Sequence, residues 1–295
     1  MNFPPPLNPG DTIGIPAPAS PFKKELFDQG VDLIKSIGYR VSIPEETYLR
    51  EGYLAGSDQK RAATLNHMFG DPNIRAIVCA RGGYGSMRML PHLDIDRIRN
   101  NPKLVMGFSD LTALLWMLYD RCNLITCHGP TVTTLAAADP TTLKGVAAIL
   151  KGDHPAALYP DEGVVLRAGA SSGPIIGGNL TTLCHLTGTE FAPNFKKSIL
   201  LLEDRGEAPY RIDRMLSQMR LAGCLDGLSG VLLGTFKDCS DPQAVYRIVT
   251  EIIDDPGVPI LAGFGIGHAE TNIPVPFGVE AFLDTDTQVV RFNSD

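Results

Sequence analysis

The sequence predicts an α/β protein, with a parallel sheet in its first half and a smaller α/β domain of mixed β-structure in its second. Three observations predict it. From Asp11 to Leu118 short apolar runs alternate with helical patterns, the spacing of βαβ units. Between about Leu150 and Gly173 the periodicity fades into Pro, Gly and charge, in "KGDHPAALYPDEG". Beyond it, apolar strands and one long amphipathic helix end in a hairpin-like segment. The expected division is residues 1–150, a linker at 151–173, and a second domain at 174–295.

Element by element, "DTIGIPAP" reads as a strand and turn. "FKKELFDQGVDLIKSIG" places Leu26, Val31, Leu33 and Ile34 among charges and stops at Gly38, an amphipathic helix. "YRVSIP" is a strand, and "SDQKRAATLNHMFGDP" a helix capped by Ser57. "IRAIVCA" is a buried strand that runs into the glycines of "RGGYG". "LVMGF" is another, and after it Leu111, Leu114, Leu115 and Leu118 share one helical face. In the second half, "PIIGGNLTTLCHLTG" reads as a glycine turn and a helix, and "KSILLLED" as a strand. "PYRIDRMLSQMRLAG" is a helix with Ile212, Met215, Leu216 and Met219 on one face, ending at Gly223. "LSGVLLGTF" and "VPILAGFGIG" are strands, and "GVEAFLDTDTQVVRF" is a terminal hairpin.

Composition narrows the function. The net charge is −7 and no Lys/Arg run is present, which argues against nucleic acid as a partner. No stretch has the makings of a signal peptide or of about 18 uninterrupted apolar residues, so a cytoplasmic protein without membrane spans is expected. The six cysteines are scattered, with no Cys-x-x-Cys and no His-Glu-x-x-His, so neither disulfides nor a metal are expected. The dinucleotide fingerprint and the Walker loop are both absent, and no cofactor is expected.

Several polar residues follow directly on apolar strands, where open α/β sheets build their sites. Arg81 and Gly82 follow "AIVCA", Ser109 follows "LVMGF", Glu203 follows "SILLL", and His268 follows "ILAGFGIG". Gly107-Phe108-Ser109-Asp110-Leu111 is half of the Gly-x-Ser-x-Gly elbow that exposes a nucleophile, since its second glycine is missing. The commoner reason for a serine at this place is helix capping, and both readings stay open on this stretch. A serine nucleophile needs a base, usually histidine. Of the six histidines, His67 reads as a surface residue, His154 lies in the linker, His185 reads as a core residue, and His128 of "CHGP" lines a cleft or supports a turn. His268 alone lies in a loop rich in Gly and Pro, where a core histidine is not needed. Glu203, ending a buried strand, is the candidate to orient the imidazole; the alternative for it and for Asp204 and Glu207 is a solvated acidic turn. The Gly82–Gly83 turn and the N–H of Asp110 are candidate oxyanion donors, against a plain strand-to-helix turn.

Taken together and in order, "YLAGSDQKRAATLNHMF", "AIVCARGGYGSMRML", "NPKLVMGFSDLTALL", "CHGP", "GGNLTTL", "LLLEDRGEAPYRIDRMLSQMR" and "GIGHAETNIPVPFG" resemble the LD-carboxypeptidase family of muramoyltetrapeptide carboxypeptidases, over nearly the whole chain. The resemblance implies a serine peptidase whose nucleophile falls on Ser109, whose glutamate falls on Glu203 and whose histidine falls on His268. Phe108 stands where the family more often has tyrosine. The resemblance further implies a Rossmann-like N-terminal domain, a C-terminal domain of mixed β-structure, a cytoplasmic homodimer, and release of terminal D-alanine from a murein peptide. Such release needs a group that holds the free carboxylate of the substrate, for which Arg81 and Arg205 are the candidates, against ordinary surface arginines. Two alternatives are a related branch that hydrolyses microcin-like peptidyl-nucleotide antibiotics and, from another class, a Rossmann-type nucleotide-binding module without catalysis.

Overall fold

The structure, a computed structural model, describes residues 2–153 and 155–292, so His154 lies outside the described residues. Six strands make the first sheet: β1 (Thr12–Gly14), β2 (Arg40–Ser42), β3 (Ile74–Val78), β4 (Leu104–Gly107), β5 (Thr126–His128) and, from far along the chain, Val275–Phe277. Their spatial order is Val275–Phe277, β5, β4, β3, β1, β2. Neighbours among β1 to β5 pair in parallel. Helices Lys24–Ser36, Asp58–Gly70 and Thr112–Cys122 connect β1 to β2, β2 to β3 and β4 to β5. Because parallel sheets are covered on both faces, their strands read as near-continuous apolar runs, and β4 is buried at every position. The chain moves from β1 outward to β2 and then returns to β3 on the other side of β1. The loops after β1 and β3 diverge at this switch, where sheets of this kind form a crevice.

Two helices differ from expectation in which side chains they bury. In Lys24–Ser36 the buried stripe is Phe27, Gly30, Val31 and Ile34, while Leu26 is exposed. The 3.6-residue period counts from Phe27, not from Leu26. In Thr112–Cys122 every residue from Thr112 to Leu118 is buried, so this helix is enclosed on all sides and does not rest on one face.

The second sheet holds β6 (Ala157–Leu158), β7 (Val164–Arg167), β8 (Ala170–Asn179), β9 (Ile199–Arg205), β10 (Gly230–Lys237), β11 (Ile260–Ala262), β13 (Glu280–Asp284) and β14 (Val289–Phe292), with Val275–Phe277 counted as β12. Its order is β6, β14, β13, β8, β9, β10, β11, β7. β8 to β11 are parallel, each joined to the next through a helix, and the outer strands are antiparallel. The helix Pro209–Leu221 buries Ile212, Met215, Leu216 and Met219, the predicted stripe. β13 and β14 form the expected hairpin.

The stretch 151–173 is not a bare linker. β6, β7 and the start of β8 lie in it, all within the second sheet. β6 and β7 are short edge strands set among Pro, Gly and acids, which hides their pattern. The Arg167 guanidinium ties β7 to the far end of helix Pro242–Ile252, donating to the carbonyls of Thr250, Ile253, Asp255 and Val258. The glycine pair of "PIIGGN" is not a turn either. Gly177 and Gly178 are rungs of β8 opposite Leu201 and Leu202, and glycine in a strand marks close backbone approach as readily as a break. By contacts the chain divides into Met1–Asp153 with Ile273–Pro276, and His154–Asn272 with Phe277–Asp295. All six cysteines are buried free thiols. Among the described residues no helix is long and apolar enough to cross a membrane.

Candidate active site

Strand β4 delivers the chain to Phe108, which is extended, and then to Ser109 at φ +65°. A non-glycine residue in this region costs about 1–3 kcal/mol and persists only where the surroundings enforce it. Here they do: the strand before Ser109 is buried at every position and the helix after it is buried from Thr112 to Leu118. The turn places Ser109, half-buried, at the start of the short 3₁₀ segment Ser109–Leu111 that leads into helix Thr112–Cys122. The residues at the N-cap positions of these two segments are Phe108 and Leu111, and neither makes a side-chain cap; Ser109 is the first residue inside the 3₁₀ segment. Asp110 is engaged elsewhere: its carboxylate accepts the N–H of Ser86 at 2.8 Å and its carbonyl accepts the Ser86 hydroxyl. The Asp110 N–H lies in the first helical turn, where backbone donors have no intrahelical acceptor.

The missing second glycine of the elbow has a counterpart in space. A methyl group at Gly82 would come within 3.1 Å of Ser109 Cβ, 3.2 Å of the Phe108 carbonyl and 3.3 Å of Ser109 Oγ. The Gly82–Gly83 turn therefore lies directly against the serine. His128 on β5 is completely buried, and its ring packs edge-on to Phe108 at 6.0 Å between centroids, so it supports the elbow.

In the second unit, Glu203 lies near the end of β9 with no exposure, followed by Asp204, which is buried too. Its Oε2 lies 2.7 Å from His268 Nδ1. Burial pushes the Glu203 carboxyl above the ordinary glutamate value, and the hydrogen bond from His268 opposes that shift. A carboxylate acceptor makes Nδ1 the protonated ring nitrogen, which assigns proton uptake to Nε2. The close approach requires glycine at 267: a side chain there would meet Glu203 Oε2 at 2.5 Å. The loop carrying His268 is pinned by Asn272, whose Oδ1 accepts the Gly267 N–H at 2.9 Å, and by the Thr235 N–H and hydroxyl, both donated to the Ile266 carbonyl. A serine on a strained strand-to-helix turn and an imidazole held by a buried carboxylate are the parts of acyl-transfer chemistry.

Residues 13–129 match the LD-carboxypeptidase N-terminal domain and residues 172–283 match the LD-carboxypeptidase C-terminal domain. The chain belongs to the LD-carboxypeptidase family. That membership makes it an enzyme, a carboxypeptidase of the serine type. It is 38% identical to a Synechocystis protein provisionally named a carboxypeptidase, over 97% of this chain and 96% of the relative. It is 32% identical to the murein tetrapeptide carboxypeptidase of Pseudomonas aeruginosa, over 92% of both chains. Its fold is similar to that of the microcin self-immunity protein MccF in complex with glutamyl sulfamoyl guanosine, at a TM-score of 0.90 and 28% identity, over 99% of this chain and 98% of that one.

In this LD-carboxypeptidase the two candidate arginines differ. Arg205 is exposed and paired with Asp238 at 3.3 Å, so its charge is already met. Arg81 donates to the neutral Pro21 carbonyl at 2.6 Å. His185, expected in the core, is exposed, and His67 is exposed as expected. A cavity of about 590 Å³ in the second unit opens beside the His268 loop, lined among others by Asp161, Thr235, Lys237, Tyr246, Phe264 and Glu270. Asn272 and Thr235 went unpredicted, as did Ser20, Arg61 and Ser86 near the serine. Arg61 carried a signal, since it stands one turn before Leu65 in the apolar stripe of its helix, where a charged residue is out of place.

Proposed function

We propose that the enzyme releases terminal D-alanine from murein tetrapeptides in cell-wall recycling. Ser109 Oγ attacks the carbonyl carbon of the L,D-peptide bond while His268 Nε2 accepts the serine proton. The N–H of Asp110 and those of the Gly82–Gly83 turn bind the oxyanion. The intermediate collapses as His268 returns the proton to the leaving amine, freeing D-alanine. Water, deprotonated by the same imidazole, then hydrolyses the acyl-serine. Glu203 holds the ring and stabilises its charge.

The observation that carries this mechanism is the 2.7 Å bond between the fully buried Glu203 and His268, a costly arrangement unless the imidazole becomes a cation in the reaction. The strained Ser109 turn supports the nucleophile, and the likeness to the Pseudomonas enzyme supports the substrate. We assign the substrate carboxylate to Arg81, whose partner is neutral, over Arg205, whose partner is an acid. The family resemblance also supports a cytoplasmic homodimer.

A second reading, hydrolysis of an aminoacyl-nucleotide amide, is favoured by the close fold likeness to MccF. One experiment separates the two. The tetrapeptide, its C-terminal amide, its L-alanine epimer and an aminoacyl-nucleotide amide are incubated at equal concentration, and released amino acid is identified by mass spectrometry. D-alanine from the first substrate alone is expected. Cleavage of the nucleotide amide without D-alanine release would transfer the assignment to the second reading.

A further inference from the structure

Beneath the glycine turn lies a buried cation. Arg61, on the helix Asp58–Gly70, is 3% exposed. Its Nε donates to the Gly56 carbonyl at 3.2 Å and its Nη1 to the Gly85 carbonyl at 2.7 Å. The same Nη1 reaches the Pro18 carbonyl, and Nη2 pairs with Asp58. Three carbonyls from three separate loops thus converge on one guanidinium. Two of these loops follow β1 and β3, the strands whose loops diverge at the switch of the sheet. A planar fork of five donors can satisfy such a set, whereas an ammonium has three donors on one point.

The same two loops are laced together above Arg61. Ser20 donates its N–H to the Gly82 carbonyl at 3.3 Å, and its hydroxyl accepts the Tyr84 N–H at 3.1 Å. Gly83, at φ +105°, has no room for a side chain, which would meet Ser20 Oγ at 2.5 Å. The segment Gly82–Gly85 is therefore held at one end by Ser20 and at the other by Arg61, and Gly82 is the residue that touches Ser109. Stability alone does not call for a charge here, since buried ion pairs are frequently replaceable by apolar side chains without loss.

We propose that Arg61, with Ser20 as its second anchor, is a positioning residue that sets the depth of the Gly82–Gly85 turn against Ser109. It touches no substrate. Its effect falls on the alignment of the oxyanion donors, and the inference rests on the mechanism proposed above.

The test compares Arg61→Lys, Arg61→Met and Ser20→Ala with the wild type, each normalised to folded protein by circular dichroism. kcat and KM are measured on the tetrapeptide, and Ki for a phosphinate analogue that mimics the tetrahedral intermediate. Misplaced donors weaken transition-state binding selectively. Arg61→Met should lower kcat by roughly 100-fold with KM nearly unchanged, and Ki should rise by the same factor. Arg61→Lys should recover part of the loss, and Ser20→Ala should show the same signature at about 10-fold. If Arg61→Met does not fold, Arg61→Lys and Ser20→Ala carry the test. Wild-type kcat and Ki in those two variants would overturn the proposal, and so would equal rises in KM and Ki. Failure of the underlying mechanism looks different: Ser109→Ala would stay active and the wild type would not bind the phosphinate.

Discussion

The two halves of the candidate machinery solve different physical problems. Around Ser109 the problem is backbone shape. A positive φ, a glycine turn and hydrogen bonds to main-chain groups put a small side chain in one place, and Arg61, the buried cation that holds this turn, contacts carbonyls beside its Asp58 partner. Around Glu203 and His268 the problem is charge. A parallel strand buried from Ile199 to Asp204 carries a carboxylate out of water and a pinned loop brings one imidazole to it. The first site should respond to changes of backbone freedom and volume, the second to changes of charge at constant shape.

The largest effects test the chemistry in each half. Ser109→Ala should reduce kcat by at least about 10⁴-fold with the fold retained, measured on the tetrapeptide beside a thermal melt. Glu203→Gln keeps the shape and removes the charge, so kcat should fall by roughly 10⁴-fold with KM little changed. A rise in KM at constant kcat would make Glu203 a binding group. At the shape-controlled site, Gly82→Ala sets a methyl group 3.3 Å from Ser109 Oγ, and kcat should drop by about 10-fold. An unaltered kcat would mean that the turn yields freely.

Smaller effects separate the halves by stability. The folded protein holds the Glu203 proton more tightly than the unfolded chain does, because burial raises its pKa above 4.5. Ionising Glu203 therefore costs stability as the pH rises from 4.5 through the raised value, and glutamine has nothing to ionise. The melting temperature of Glu203→Gln minus that of the wild type should grow across that window and be smallest at or below its lower end. A flat difference would contradict the burial of the charge. At position 109 the expected difference is conformational: Ser109→Gly should exceed Ser109→Ala in stability by about 1 kcal/mol, read from denaturant midpoints, because glycine accepts positive φ without strain.

Much of this was legible in the sequence. Ile212, Met215, Leu216 and Met219 announced a helix face because one period governs a half-buried helix. The runs ending at Gly107 and Glu203 announced parallel strands because burial on both faces leaves them apolar throughout. Those same strand ends exposed the candidate site, since polar residues there have few structural uses. What stayed hidden depends on contacts distant in sequence. β6 and β7 are too short to show a period, and β12 joins the first sheet from position 275, after the whole parallel core of the second. The φ of Ser109 does not follow from "GFSD", whose missing second glycine is matched by Gly82 from another loop. Arg61 stands out of place in the apolar stripe of its helix, but its partners, the carbonyls of Pro18, Gly56 and Gly85, come from three loops that only the fold brings together.

The central claim is that Ser109 is the nucleophile and that the Glu203–His268 pair activates it. The most direct measurement is labelling of the folded enzyme with a fluorophosphonate, followed by peptide mapping and residual activity at each degree of labelling. The expected result is one phosphonyl group on Ser109, activity lost in proportion to labelling, and labelling slowed by several orders of magnitude in His268→Ala. Full activity after stoichiometric labelling of Ser109, or labelling of His268→Ala at the wild-type rate, would contradict it.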